Sequence, residues 1–84
     1  MFEIKEDLTG GSDGPMTSGS MWIDESKVTH VSSIGYSETA LKHLGDYIPG
    51  WRFSVGIGGI SCHFYYVDEN ICRSWHDALL KFVP

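Results

Sequence analysis

The chain has 84 residues, which is enough for one small domain and too short for a second hydrophobic core. Its 42% hydrophobic content argues against wholesale disorder, and its 11 acidic against 6 basic residues, a net charge of −5, argue against a nucleic-acid partner. No apolar run approaches the length of a membrane span, so no membrane partner is expected.

The N-terminal residues 1–11, MFEIKEDLTGG, include acidic residues and lack the apolar core of a signal peptide. We therefore expect a cytoplasmic protein. In a reducing compartment Cys62 and Cys72 are expected to be free thiols rather than a disulfide.

The first part of the chain predicts strands and a loop. Residues 2–5 alternate between apolar and polar, which is typical of a short strand. Residues 8–20, LTGGSDGPMTSGS, have no apolar period and are rich in Gly and Ser, so they predict a flexible loop within the single domain 1–84. Residues 21–23 and 28–34 are rich in apolar and β-branched side chains and predict strand, either two strands or one broken by a bulge.

Residues 37–45 carry the signals of a short middle helix. Ser37 can act as the N-cap, and Gly45 can take the left-handed conformation after the last turn. Because two turns are too few for an independent helix, Leu41 and Leu44 are expected to pack on the core. The Pro-Gly dipeptide that follows predicts a turn.

The stretch SVGIGGISC could be either a phosphate-binding loop or a turn between two strands. Residues 51–57 and 60–66 both alternate, and the Gly-Gly pair between them suits a type I′ turn, in which both central residues need a positive φ. This turn places Ile57 opposite Ile60 and brings the apolar residues to one face. A dinucleotide-binding loop would need glycine in place of Ser61 and a helix directly after it. The sequence therefore predicts a hairpin.

The two faces of this hairpin differ in chemistry. The predicted inner face carries apolar side chains, namely Trp51, Phe53, Val55, Cys62 and Phe64. The predicted outer face carries small and polar residues, namely Arg52, Ser54, Gly56, Ser61, His63 and Tyr65.

The C-terminal segment predicts an amphipathic helix from a cap at Asp68 or Asn70 to about Phe82. Its apolar face is expected to contain Ile71, Trp75, Ala78, Leu79 and Phe82, with Cys72 at the edge. The predicted fold class is α+β: a small antiparallel meander of three to five strands, with the short middle helix and the C-terminal helix packed on one sheet face.

The run 63–82, HFYYVDENICRSWHDALLKF, is similar to the end of a pleckstrin-homology domain, in which an aromatic strand leads through an acidic turn into a helix with an inward Trp. The similarity covers roughly a quarter of the chain. It implies a shared architecture of strand and helix, and no binding residue is carried over from it.

Two thiols and a histidine suggest a metal- or small-ligand-binding domain as the alternative function. Cys72 and His76 are four residues apart and share a side of the predicted helix, and Cys62 could supply a third ligand. The competing interpretation is that both cysteines act as small hydrophobic residues in the core. No spacing indicates a catalytic group of residues, so we expect neither an enzyme nor a cofactor.

The outer hairpin face is the better candidate for a site. Arg and Tyr are frequent in protein–protein hot spots, and Arg52, His63 and Tyr65 share that face. Trp22 is a further candidate, since it points outward if Ile23 points inward. We expect a non-enzymatic protein-binding module, such as a small inhibitor or accessory protein of the kind that phages and mobile elements encode. Exposed strand edges also allow a homodimer by strand pairing.

Overall fold

The structure is a computed structural model that describes residues 1–9, 16–43 and 45–84. Within these ranges the chain is a small α+β protein with antiparallel sheets and one C-terminal α-helix, as predicted. The elements are β1 (Phe2–Thr9), β2 (Met16–Ile23), a 3₁₀ turn (Glu25–Lys27), β3 (Val28–Val31), β4 (Gly35–His43), β5 (Asp46–Ile57), β6 (Ile60–Tyr66) and α1 (Glu69–Leu80).

β5 is the central strand of the larger sheet. It pairs with β6 from Trp51 to Ile57. Within this stretch, residues 55–57 also pair with β3 and residues 51–52 also pair with β4, whose pairing continues to Asp46. β3 and β4 therefore lie one after the other along the opposite edge of β5. The second sheet consists of β1 and β2 alone, paired from Phe2 and Ile23 to Thr9 and Met16.

The predicted β5–β6 hairpin is confirmed in its turn and its register. Gly58 and Gly59 have φ values of 59° and 87°, the left-handed region that favours glycine. Ile57 lies opposite Ile60, and the pairing continues without a shift to Trp51 and Tyr66. The register brings Phe53, Val55 and Phe64 together on the buried face, as expected.

The predicted middle helix at 37–45 is wrong over residues 37–43, and Leu44 lies outside the described part of the chain. Residues 35–43 form β4, and the only helical element of the described chain besides α1 is the 3₁₀ turn at Glu25–Lys27. β4 pairs with the long strand β5, with Leu41 opposite Ile48. These inter-strand hydrogen bonds and the burial of Leu41 outweigh the weak helix signals of a two-turn segment.

The Pro-Gly dipeptide at Pro49 and Gly50 lies inside β5 rather than in a turn. The missing N–H of Pro49 is tolerated because this residue lies beyond the last β5–β6 pair, Trp51 and Tyr66, and within the irregular part of the β4–β5 register. Gly50 is also required by space, because a Cβ there would lie 2.7 Å from the carbonyl oxygen of Tyr66.

The predicted loop at 8–20 is wrong at both of its ends. Residues 8–9 belong to β1 and residues 16–20 to β2, while residues 10–15 lie outside the described part of the chain. The predicted strands at 21–23 and 28–34 belong to different sheets, separated by the 3₁₀ turn.

Of the two predicted caps, Asp68 begins the helix α1, since its carboxylate accepts a hydrogen bond of 3.1 Å from the Ile71 amide. Its buried face is rotated from the predicted one. Cys72 and Leu79 are fully buried, whereas Ile71 is 51% exposed. Trp75 is half-buried, because its ring packs edge-on against Phe2 of β1 rather than at the centre of the sheet.

The core lies between the two sheets and the helix. Its buried apolar residues are Ile4, Ile23, Val28, Phe53, Val55, Phe64, Tyr66, Cys72 and Leu79. None of the helices in the described part of the chain is both long and apolar enough to cross a membrane.

Two carboxylates join β1 to the edge of β6. Glu6 Oε2 accepts a hydrogen bond of 3.3 Å from the Tyr65 amide, and Asp7 Oδ2 accepts one of 2.9 Å from the Val67 amide. These side chains satisfy backbone groups that a further strand would otherwise pair.

Candidate functional site

The outer-face patch consists of Arg52, His63 and Tyr65. The hairpin register sets it, because Arg52 lies opposite Tyr65, and His63 lies opposite Ser54. Arg52 and His63 are exposed, and Tyr65 is half-buried. Arg52 forms no ion pair with any residue that the structure describes, so its guanidinium is available to an external group.

A shallow depression of about 290 Å³ lies beside this patch. Its lining combines two positively charged or chargeable side chains with hydroxyl groups and backbone, namely Ser32, Ser33, Gly35, Arg52, Phe53, Ser54 and His63. Such a lining favours an anionic or hydrogen-bond-accepting group, because Arg and Ser side chains supply hydrogen-bond donors.

Ser32 shapes the depression from the other edge of β5. Its amide donates to the Ser54 carbonyl at 2.9 Å, as in a regular ladder. Its hydroxyl, however, accepts from the Ser54 amide at 2.8 Å, in the place of a strand carbonyl. The hydroxyl proton is then directed to the Ser33 carbonyl, 3.1 Å away. The chain can therefore leave the strand between β3 and β4 without an unpaired amide on β5.

His30 covers the part of the outer face that the sequence predicts to be open. A register shift in β3 between Val28 and His30 lays the His30 ring over Gly56, where a Cβ would collide with it. The Thr29 hydroxyl donates to the Gly56 carbonyl at 3.2 Å. Gly56 is consequently buried, and the patch is bounded on this side.

Sequence reasoning missed Ser32, Ser33 and Gly35, because their positions depend on which strand pairs with β5. Gly56 gave the only signal, since an isolated glycine within a strand pattern indicates close approach of another part of the chain. Trp22 is 59% exposed, as expected. It lies on β2 of the smaller sheet, opposite Glu3, and lines no part of the depression.

The alternative metal ligands Cys62, Cys72 and His76 do not form a metal-binding group. No cluster of three or more His, Cys, Asp or Glu side chains suited to a metal ion occurs among the described residues. His76 Nε2 lies 2.8 Å from the Ser32 carbonyl oxygen and is occupied by that hydrogen bond. Burial raises the pKa of the Cys72 thiol to about 11, which disfavours the thiolate that a metal needs.

Comparison of the chain with models of protein families, with curated proteins and with solved structures gives no match.

Proposed function

We propose that this protein is a non-enzymatic protein-binding module that acts through the outer-face patch. The observation that carries the proposal is the position of Arg52. It is an exposed guanidinium without an ion pair in the described structure, held on the central strand at the rim of a polar depression. Arginine at such a position can form paired hydrogen bonds with a carboxylate and is frequent in interface hot spots.

The rigidity of the support favours binding. Arg52 and His63 lie on paired strands, and Ser32 and Ser54 are fixed to each other by two hydrogen bonds. A partner therefore meets a backbone that is already ordered, so little backbone entropy is lost on association. An acidic side chain of the partner fits the charge of the patch.

The test compares capture of proteins from source-cell lysate by the wild type and by the double variant Arg52→Ala/His63→Ala. Tyr65 is left in place because it is half-buried. The matched control is Asn70→Ala/Lys81→Ala, which removes the same positive charge from exposed positions near the ends of α1. Thermal unfolding should be similar for all three proteins, since exposed substitutions usually change stability little.

We expect a partner that the wild type and the control retain and that the patch variant loses. Equal capture by all three proteins would place the interface elsewhere, and the absence of any captured partner would count against a binding module. The narrower hypothesis of an inhibitor or accessory protein of phage type remains a prediction.

Homodimerisation by strand pairing is a second prediction about partners. Among the described strands β6 pairs only with β5, and its other edge is engaged by carboxylates at Tyr65 and Val67. The open part of this edge is thus the short segment near the turn, which limits pairing to a few residues. Light scattering across a concentration series tests whether a dimer forms.

A further inference from the structure

A second concave site lies between β1 and α1 and shares no residue with the outer-face patch. This cleft has a volume of about 220 Å³. Its lining combines charged and aromatic side chains, namely Lys5, Glu6, Asp7, Tyr66, Ile71 and Trp75.

The hydroxyl of Tyr66 is the first sign that the cleft accepts a ligand. Tyr66 is 1% exposed, and its hydroxyl has no hydrogen-bond partner among the described residues. Burial raises the pKa of this phenol, and the nearby carboxylates of Glu6 and Asp7 raise it further. Tyr66 lines the cleft together with Glu6 and Asp7. An unpaired buried hydroxyl is costly, so a polar partner there would be stabilising.

Each of the two carboxylates is held in place by a hydrogen bond that one of its oxygens accepts. Glu6 accepts through Oε2 from the Tyr65 amide, and Asp7 accepts through Oδ2 from the Val67 amide. No other side-chain hydrogen bond to either carboxylate occurs within the described part of the chain, which leaves Oε1 and Oδ1 for a donor from outside. Burial raises the pKa of Glu6, and the adjacent Asp7 carboxylate raises it further, although the hydrogen bond from the Tyr65 amide opposes the shift.

The opposite wall of the cleft is apolar. Ile71 is 51% exposed, and the half-buried indole of Trp75 lies beside it on the next turn of α1. Lys5 also lines the cleft, but it forms no ion pair with Glu6, Asp7 or any other described residue. The cleft thus combines two oriented anions, an aromatic face and an acceptor hydroxyl.

We propose that this cleft binds an arginine side chain presented by a partner protein. Its alkyl stem would lie against Ile71 and Trp75, and its guanidinium would donate to the free oxygens of Glu6 and Asp7. Arginine fits because its planar guanidinium has five donors, pairs with carboxylates and stacks on aromatic rings. The phenol oxygen of Tyr66 would accept one of these donors. The net charge of −5 complements a basic partner.

The test is a titration of the isotope-labelled protein with a blocked arginine, Nα-acetyl-arginine methylamide, followed by NMR. We expect saturable shifts of the Tyr65 and Val67 amides and of the Trp75 indole. The blocked citrulline of the same shape, which is uncharged, should bind far more weakly. No saturable shift with blocked arginine, or equal binding of citrulline, would overturn the proposal.

Variants connect the binding to the carboxylates. Glu6→Gln/Asp7→Asn keeps acceptors for the two amides but removes both charges, and should weaken binding by roughly tenfold or more. The control Glu38→Gln/Asp46→Asn removes the same charge from exposed residues of β4 and β5 and should bind like the wild type. Equal binding by the two variants would overturn the proposal.

Tyr66→Phe provides a test that does not depend on those variants folding. The substitution removes only an unpaired hydroxyl, so the free energy of unfolding should be unchanged or higher while arginine binding weakens. Unchanged binding by this variant would contradict the role of the hydroxyl. Arg52→Ala/His63→Ala should bind the blocked arginine normally, because this inference does not rest on the outer-face patch.

Discussion

His76 Nε2 donates to the carbonyl oxygen of Ser32 across 2.8 Å, which joins α1 directly to the junction between β3 and β4. The Ser32 carbonyl is available because the hydroxyl of the same residue takes the strand position opposite the Ser54 amide. The imidazole also packs edge-on against Phe53, with ring centroids 5.4 Å apart. One helical side chain thus fixes both the core and the rim of the depression.

Substitution His76→Ala tests this relationship. We expect a loss of about 2 kcal/mol in the free energy of unfolding, because a hydrogen bond and an aromatic contact disappear together. The measurement is urea unfolding followed by fluorescence. His63→Ala is the matched control, since His63 is exposed and should change stability little. Equal stability of the two variants would contradict the anchoring role of His76.

Two adjacent leucines test which face of α1 is buried. Leu79 is fully buried, whereas Leu80 is 45% exposed. Leu79→Ala should cost ~2–5 kcal/mol through a core cavity, which is a large share of the stability of so small a domain. Leu80→Ala should cost much less, because nearly half of the residue is already in contact with water in the folded state. A greater loss for Leu80→Ala in thermal unfolding would show that the helix presents another face.

Glu6 should make stability depend on pH. Burial raises its pKa above the ordinary value of 4.5, although the Tyr65 amide opposes this shift. The folded state therefore binds the proton more tightly than the unfolded state does. The resulting stabilisation is present below pH 4.5 and is lost as pH rises through the folded-state pKa.

The variant Glu6→Gln should lack this dependence because its amide does not titrate. Relative to the wild type, it should become more stable as the pH is raised from about 3.5 to about 7. Urea unfolding at both pH values measures the difference. Glu38→Gln, at an exposed position, is the control. A variant that loses stability relative to the wild type over this range would contradict the assigned shift.

The two thiols should differ in reactivity. Cys72 is completely buried, which raises its pKa to about 11, whereas Cys62 is half-buried. Alkylation at neutral pH should therefore modify Cys62 first and leave Cys72 intact until the protein unfolds. Mass spectrometry of the Cys62→Ala variant, with and without denaturant, isolates the Cys72 thiol. Rapid modification of Cys72 in the native variant would show that it is accessible.

The local features of this chain were predictable from the sequence. Alternation with a period of two, together with the Gly58-Gly59 turn, specified the β5–β6 pairing to the residue, because a shift of one position would expose the apolar face. The cap of α1 was also predictable, as one of two candidate residues, because a capping side chain such as Asp68 bonds only to the first turn that follows it. The placement of Arg52 and His63 on one face follows from the same register.

Features that depend on distant contacts were decided by the tertiary structure. Residues 35–43 form β4 rather than a helix because the long strand β5 offers them hydrogen-bond partners, which local helix signals cannot reveal. The face of α1 that is buried depends on the sheet beneath it, so Cys72 replaces Ile71 at the core.

The same distinction between local features and distant contacts applies to the outer-face patch and to the cleft. The sequence by itself determined the hairpin, its polar outer face and the position of α1 along the chain. Only the tertiary structure brought Ser32 beside Ser54, and Glu6 and Asp7 beside the edge of β6. The physical reason is the distance along the chain over which each interaction acts. Turns, caps and alternation act over a few residues, whereas these contacts join residues 22 to 60 positions apart. The energies that favour such distant contacts exist only once the core has formed.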